Sequence, residues 1–414
     1  MSQSTATVTA PWLRASEVRD VLAALTADGS PARFVGGCVR DALIRPDLDP
    51  NDLDLATPER PERVMSLLAA RGIRSLPTGL SHGTVAALAG RRHLEITTLR
   101  RDVATDGRHA EVEFTRDFDE DAARRDFTIN AMSCDGDGRL HDPVGGRDDL
   151  AAGRVRFVGD ARRRITEDYL RILRFFRFHA RFGRDPADAA ALAACAALKD
   201  GIDRLSGERV RQELWRILAG PRVSPTLQLM QATGVLDRAL PVNATVPVLE
   251  RLIARFPEAD PLLRIAALIR PATQDDVDRL ADRLRLANIE RDRLLALVAT
   301  PLPDPAVDDR LLRQAIHQLG SCLFGDLVRL GASQRGDGEH ASRALKLASS
   351  WQPPRFPVGG DDLLDRGVPS GPELGRLLDV IRREWQESDF TLDRAACLAR
   401  LDELLGQPGR DLTP

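Results

Sequence analysis

The chain has 414 residues, 43% hydrophobic and 29% charged, enough apolar material for about two to four domains. Its formal net charge of -3 neither favours nor forbids a nucleic-acid partner, which a local basic stripe can hold within an acidic whole. Five widely spaced cysteines without a C-x-x-C pair argue against a disulfide frame or a zinc site, and no run approaches the roughly 18 apolar residues of a membrane span. The first twenty residues carry no apolar leader segment, so a cytoplasmic protein with no membrane partner is expected.

After a first helix over about Ala15–Ala27, the stretch RFVGGCVRDAL reads as a short strand Arg33–Val35, the pair Gly36-Gly37, and a helix over Val39–Ile44. Adjacent glycines let backbone amides approach a ligand closely. The helix start that follows favours an anion, with Arg40 one turn in as a countercharge.

The next strand, Leu53–Ala56, lies in NDLDLAT. Successive strand residues point to opposite faces, so Leu53 and Leu55 enter a core while Asp52 and Asp54 share the other face. Two like charges at that spacing are costly without a shared cation. A helix Pro61–Arg71 and strands Thr84–Leu88, Leu94–Leu99 and Val112–Phe114 follow. On the second of these, Glu95 is either a third carboxylate for such a cation or a solvent-facing strand residue.

The segment Asp121–Cys134, containing RRDFTINAM, reads by itself as a capped amphipathic helix. His141-Asp142 resembles a metal-binding dipeptide but leads into the turn PVGG, without partner His and Asp residues. Beyond about residue 160 strand signals stop, and helices are separated by Pro-rich breaks. In TEDYLRILRFFRFHARF, Tyr169, Ile172, Leu173, Phe176 and Ala180 form a core stripe, with Asp168, Arg171, Arg174 and Arg177 opposite. That polar side is either a solvated face or, given Phe175 and Phe178 among the arginines, a second contact surface. Near the C-terminus, Ser370 and Glu373 read as a capping box ahead of Leu374, Leu377, Leu378 and Ile381.

Five ordered motifs, GGCVRD with DLD, TDGRHAEVEF, EDAARRDFTINAM, ITEDYLRILRFFRF and LSGERVRQEL, resemble the class II CCA tRNA nucleotidyltransferases and the related bacterial poly(A) polymerases. The resemblance is close over residues 30 to 220. It implies an α+β protein: a polymerase-β-like nucleotidyltransferase head with a mixed sheet and helices (1–147), then an all-helical neck that reads the base (148–225), body (226–350) and tail (351–414), the last two gripping tRNA. It also implies Mg2+-dependent addition of CMP, CMP and AMP from CTP and ATP to the tRNA 3′ end, with release of pyrophosphate. Asp52 and Asp54 would hold the metal, with Glu95 as the third carboxylate. Gly36, Gly37, Arg40, Arg125, Arg174 and Arg177 would hold the nucleotide, and Arg108, Asp126 and Asn130 would support the motifs. Asp168 and Arg171 would act as a protein template, presenting an acceptor beside a donor. Cytosine and adenine carry the complementary order on their pairing edges; uracil and guanine carry the reverse. A poly(A) polymerase, and a non-catalytic RNA-binding protein on the same scaffold, are the alternatives.

Overall fold

The computed structural model describes residues 6–80, 83–105, 110–336 and 338–406. The chain packs as two compact units, one running up to Pro241 together with Asp282–Arg285, the other comprising Val242–Ala281 and the chain from Leu286 onward.

Among the described residues the first unit has nine strands: β1 Arg33–Val35, β2 Asp52–Thr57, β3 Arg74–Gly79, β4 Thr84–Ala89, β5 Arg92–Thr98, β6 Arg100–Thr105, β7 Ala110–Phe114, β8 Ser133–Cys134 and β9 Leu140–His141. Seven form a mixed sheet in the order β3-β4-β5-β2-β1-β8-β9, while β6 and β7 make a separate ribbon. Within the large sheet β2 and β5 run parallel and the remaining neighbours antiparallel. Its helices include α1 Pro11–Arg14, α2 Ser16–Leu25, α3 Gly37–Ile44, α4 Pro61–Ala69, α5 Phe118–Ala123, α6 Gly146–Ala152, α7 Ala161–Glu167, α8 Leu170–Phe182, α9 Ala189–Leu198 and α10 Gly207–Leu218.

One face of the sheet makes the core. Trp12, Val18, Leu25, Phe34, Leu53, Leu55, Val64, Leu94 and Ile96 form a single buried cluster, each large side chain contributing roughly 2 kcal/mol by its removal from water. The period-2 alternation therefore leaves Asp52, Asp54 and Glu95 on the opposite, open face. Edge strand β3 was not expected from the sequence because it is mostly exposed and contains Pro77, so it lacks an apolar signature.

The expected helix Asp121–Cys134 does not form. Helix α5, capped by Asp117 Oδ1 on the Asp119 N–H, stops at Ala123. Phe127 is extended and pairs with Phe157, while Asp126 O and Thr128 N–H bond to Val158 N–H and Arg156 O. A buried Phe127 ring, 4.8 Å from Phe157, stabilises this pairing over helical continuation. A 3-10 turn, Thr128–Asn130, then leads into β8. Asp142 is a local structural residue, its carboxylate accepting the Gly146 and Arg147 N–H groups at the start of α6.

Among the described residues no strand follows His141. The second unit is helical, and its C-terminal part has its own core of Val358, Leu363, Leu377, Ile381, Trp385, Cys397 and Leu401. Helix Pro372–Glu387 starts near the expected position, but the Ser370–Glu373 capping box does not form. Pro372 takes the first helical turn and makes Gly371 the N-cap.

Candidate active site

A recess of about 580 Å³ opens on the polar face of the sheet, within the first unit. Its lining includes Gly36, Gly37, Arg40, Asp54, Glu95, Arg125, Asp126, Asn130, Asp168, Arg171, Arg174 and Arg177. Of the residues expected to form a site, Asp52 is not part of the lining, although it shares the face of β2 with Asp54, and Arg108 lies outside the described residues, as do Asp106 and Gly107 of the same motif.

The glycine turn joins β1 to α3. Gly36 has φ 71 and ψ -124, a conformation that side chains other than glycine rarely adopt, and a Cβ there would stand 3.1 Å from Arg125 Nη1. The first-turn amides of α3 lack intrahelical acceptors, as at any helix start, and favour an anion. Arg40, 6% exposed, donates from Nε to Asp41 Oδ1 at 2.8 Å and from Nη1 to Asn130 Oδ1. Its position is thereby fixed before any ligand arrives.

The acidic edge comes from register. In the parallel β2–β5 pair Asp54 stands directly opposite Glu95, and Asp52 opposite His93. Glu95 is therefore brought beside Asp54. Desolvation in the recess raises the Asp54 carboxyl above its ordinary range, Glu95 raises it further, Arg125 opposes them and Asp52 adds a smaller rise. The Asp52 side chain is 89% exposed, with His93 Nδ1 3.9 Å away. Among the described residues no group of three His, Cys, Asp or Glu forms a self-sufficient metal cage. An all-oxygen, like-charged set instead suits a divalent cation whose shell is completed by water and ligand phosphates.

The basic wall is organised differently. Buried Asp121 receives both Arg124 (2.7 Å) and Arg125 (3.0 Å). Asp126 Oδ2 accepts from Arg174 Nε at 2.7 Å, and its Oδ1 accepts from the Phe127 N–H and Asn130 Nδ2. A continuous chain, Arg40–Asn130–Asp126–Arg174, thus ties α3 to α8 through the turn after α5. Burial by itself would raise the Asp126 carboxyl, but Arg174 and the three hydrogen bonds hold it below its ordinary range. Arg177 is held by Glu213 of α10.

Asp168 is not part of the long helix, as the sequence pattern suggested. It is an extended residue between α7 and α8, with φ -156 and ψ 106, and its Oδ1 accepts the Leu170 N–H at 3.1 Å. This break re-aims its carboxylate into the recess, where Oδ2 also accepts from Arg209 Nη2 at 2.8 Å. Arg171 donates to Glu167 Oε2 at 2.6 Å and to Arg164 O at 2.8 Å. Phe175 is a core residue, whereas Phe178, though largely buried, lines the recess beneath Arg40, Arg174 and Arg177, so one of the two expected aromatics does belong to the contact surface. Both rings pack on Phe127, at 6.4 and 5.2 Å, because the turn after α5 covers that side of α8. Asp121, Arg124, Glu167, Arg209 and Glu213 are the partners that single-residue reasoning missed. Arg209 lies in LSGERVRQEL, where an Arg near a helix start gave a signal of charge but none of direction.

A mixed sheet with a glycine turn, paired strand carboxylates and an arginine wall defines a nucleotidyltransferase head. The model for the poly A polymerase head domain matches residues 32–156, and that described as the probable RNA and SrmB-binding site of polymerase A matches residues 188–245. The chain is 38% identical to CCA tRNA nucleotidyltransferase 1, mitochondrial, of Homo sapiens over 387 residues, covering 90% of this chain and 85% of the relative. It is 30% identical to the CCA-adding enzyme of Lactococcus lactis, covering 94% and 97%. The crystal structure of the Bacillus stearothermophilus CCA-adding enzyme in complex with CTP superposes with a TM-score of 0.72 at 26% identity, covering 95% of this chain and 98% of that one. The chain belongs to the CCA tRNA nucleotidyltransferase and poly(A) polymerase family.

Proposed function

We propose that this protein adds CMP, CMP and AMP, taken from CTP and ATP, to the 3′ end of tRNA. The observation that carries the reading is the single recess in which an acidic strand edge, a glycine turn and an Asp–Arg pair converge. The tRNA 3′-hydroxyl attacks the α-phosphorus, a new P–O bond forms, and the bond to the β-phosphate breaks to release pyrophosphate.

Asp54 and Asp52, with Glu95 beside them, would hold Mg2+, which supplies polarisation of the hydroxyl and neutralisation of phosphate charge when bound. Gly36, whose own N–H is bonded to Met132 O at 3.2 Å, keeps the turn free of a side chain. Gly37 presents its backbone amide to the triphosphate, and Arg40, Arg125, Arg174 and Arg177 orient it. Because these arginines are already fixed by Asn130, Asp121, Asp126 and Glu213, little reorganisation accompanies nucleotide binding. Asp168 accepts from the exocyclic amine of cytosine or adenine while Arg171 donates to the adjacent ring nitrogen. Uracil or guanine would set a carbonyl against the Asp168 carboxylate and leave polar groups unpaired. Arg209 and Glu167 hold the two template side chains at their angles.

The head (1–147) carries the chemistry, the neck (148–225) reads the base, and the body (226–350) and tail (351–414) bind tRNA. Among the described residues no helix is long and apolar enough to cross a membrane. All five cysteines are free, which suits the reducing cytoplasm as the working compartment.

Incubation with tRNA lacking its terminus, each labelled nucleotide and Mg2+ tests the reading. Two CMP followed by one AMP is the expected ladder. Long AMP tracts would assign a poly(A) polymerase, and no incorporation a non-catalytic RNA-binding protein.

A further inference from the structure

A second cavity of about 420 Å³ lies where α3 and α8 end, lined by Asp41, Ile44, Arg45, Arg181, Phe182 and Arg184 among others. Among the described residues no side chain lines both this cavity and the nucleotide recess, but two residues of the recess, Arg40 and Phe178, pack against Phe182 of the cavity, the Phe178 and Phe182 rings stacked at 6.0 Å. The Arg40 guanidinium carbon stands 5.3 Å from the Phe178 ring centroid, on the recess side, and 4.3 Å from that of Phe182, on the cavity side. Phe178 to Phe182 and Arg40 to Ile44 are each one helical turn, about 6 Å along the axis. The cavity therefore begins one turn beyond the phosphate cradle, at the end of α3 away from its glycine turn.

Its charge is unbalanced. Asp41 is the sole acidic side chain in the lining, and its carboxylate is already bonded to Arg40 at 2.8 Å, with Arg181 3.7 Å away. Among the described residues the Arg45 and Arg184 guanidinium groups have no hydrogen-bond or ion-pair partner. Arg184 is nonetheless anchored. Its N–H donates to Gly153 O at 2.7 Å, and its stem lies so close over Gly153 that a Cβ there would approach the Arg184 Cγ to 2.5 Å.

We infer that this cavity is a holding site for a phosphate-bearing anion, occupied by inorganic pyrophosphate as it leaves the nucleotide recess. The inference rests on the nucleotidyl-transfer reading, which generates pyrophosphate at the glycine turn on every cycle. Two unpaired guanidinium groups suit a compact polyanion through charge-assisted hydrogen bonds. Arg40 lines the recess alone and backs Phe182 from that side.

The test is calorimetric titration of pyrophosphate into the full-length protein saturated with CTP, without tRNA, so that the recess is filled and no turnover occurs. The parent protein should still bind pyrophosphate. The double variant Arg45→Gln, Arg184→Gln should bind it about tenfold or more weakly, about 1.4 kcal/mol, with CTP affinity within about twofold and an unchanged thermal midpoint. Exclusion of pyrophosphate by CTP, or equal binding by the variant, would overturn the inference. So would a variant that loses tRNA affinity while keeping pyrophosphate binding, because the arginines would then serve RNA phosphodiesters. Failure of the parent protein to bind CTP at all would instead overturn the nucleotidyl-transfer reading beneath it.

Discussion

Where the recess meets strand β2, Asp54, Glu95 and Asp52 stand as like charges, and the Asp54 carboxyl is driven upward by its desolvation first and by Glu95 second. Across the recess, Arg174, Arg177 and Arg171 are each held by a carboxylate of their own, from Asp126, Glu213 and Glu167. The two sides teach different things about preorganisation. The acidic side stores repulsion that a divalent cation relieves, whereas the basic side has settled its ion pairs within the protein and offers fixed donors.

The comparison can be broken at either side. Asp54→Ala should cost about 10³-fold or more in nucleotide incorporation while leaving tRNA affinity intact, and Asp52→Ala should act in the same direction. Retained turnover in both would remove the metal assignment, and chelation of divalent cations should mimic the loss. On the basic side, Asp126→Ala leaves the partly exposed Arg174 without its partner and cuts the link to Asn130 and Arg40. A stability loss of about 1 to 2 kcal/mol is expected in denaturant unfolding, less than for a fully buried pair because Arg174 is partly solvated. A comparable effect belongs to the base pair-reading end. Asp168→Ala or Arg171→Ala should narrow the preference for CTP and ATP over UTP by about 10- to 100-fold, with triphosphate affinity little changed. Unaltered selectivity would count against a protein template.

The smallest expected effect is on the acid limb of stability. The Asp126 carboxyl is held below its ordinary range in the folded protein, so the unfolded chain takes up this proton first as pH falls. Its stabilising contribution is complete above the ordinary carboxylate range and disappears as pH drops through the depressed folded value. Asp126→Asn should flatten that limb in thermal melts between about pH 5 and pH 2. An identical slope would place the acid sensitivity elsewhere, with Asp121 the next candidate because burial is likewise outweighed there by Arg125 and Arg124.

Much of the acidic side was legible in the sequence, because period-2 alternation in NDLDLAT dictates which residues share a face, and β2 obeys it. Glu95 was legible as a strand residue, but its place beside Asp54 depends on a parallel register that no local pattern encodes. The basic side was harder. Helical periodicity put Asp168 on the same helix as Arg171, yet the chain breaks between Glu167 and Leu170. The helix expected over Asp121–Cys134 yielded to the pairing of Phe127 with Phe157. In both places a long-range contact outweighed local propensity. The same cause hid Glu213 and Arg209, whose roles exist only once α10 packs on α8.

The most direct measurement is the crystal structure of this protein with CTP and Mg2+. The triphosphate should lie over Gly36 and Gly37 within reach of Arg40, with the metal against Asp54 and the cytosine edge between Asp168 and Arg171. A triphosphate docked away from the glycine turn, or a cytosine that contacts neither Asp168 nor Arg171, would contradict the account.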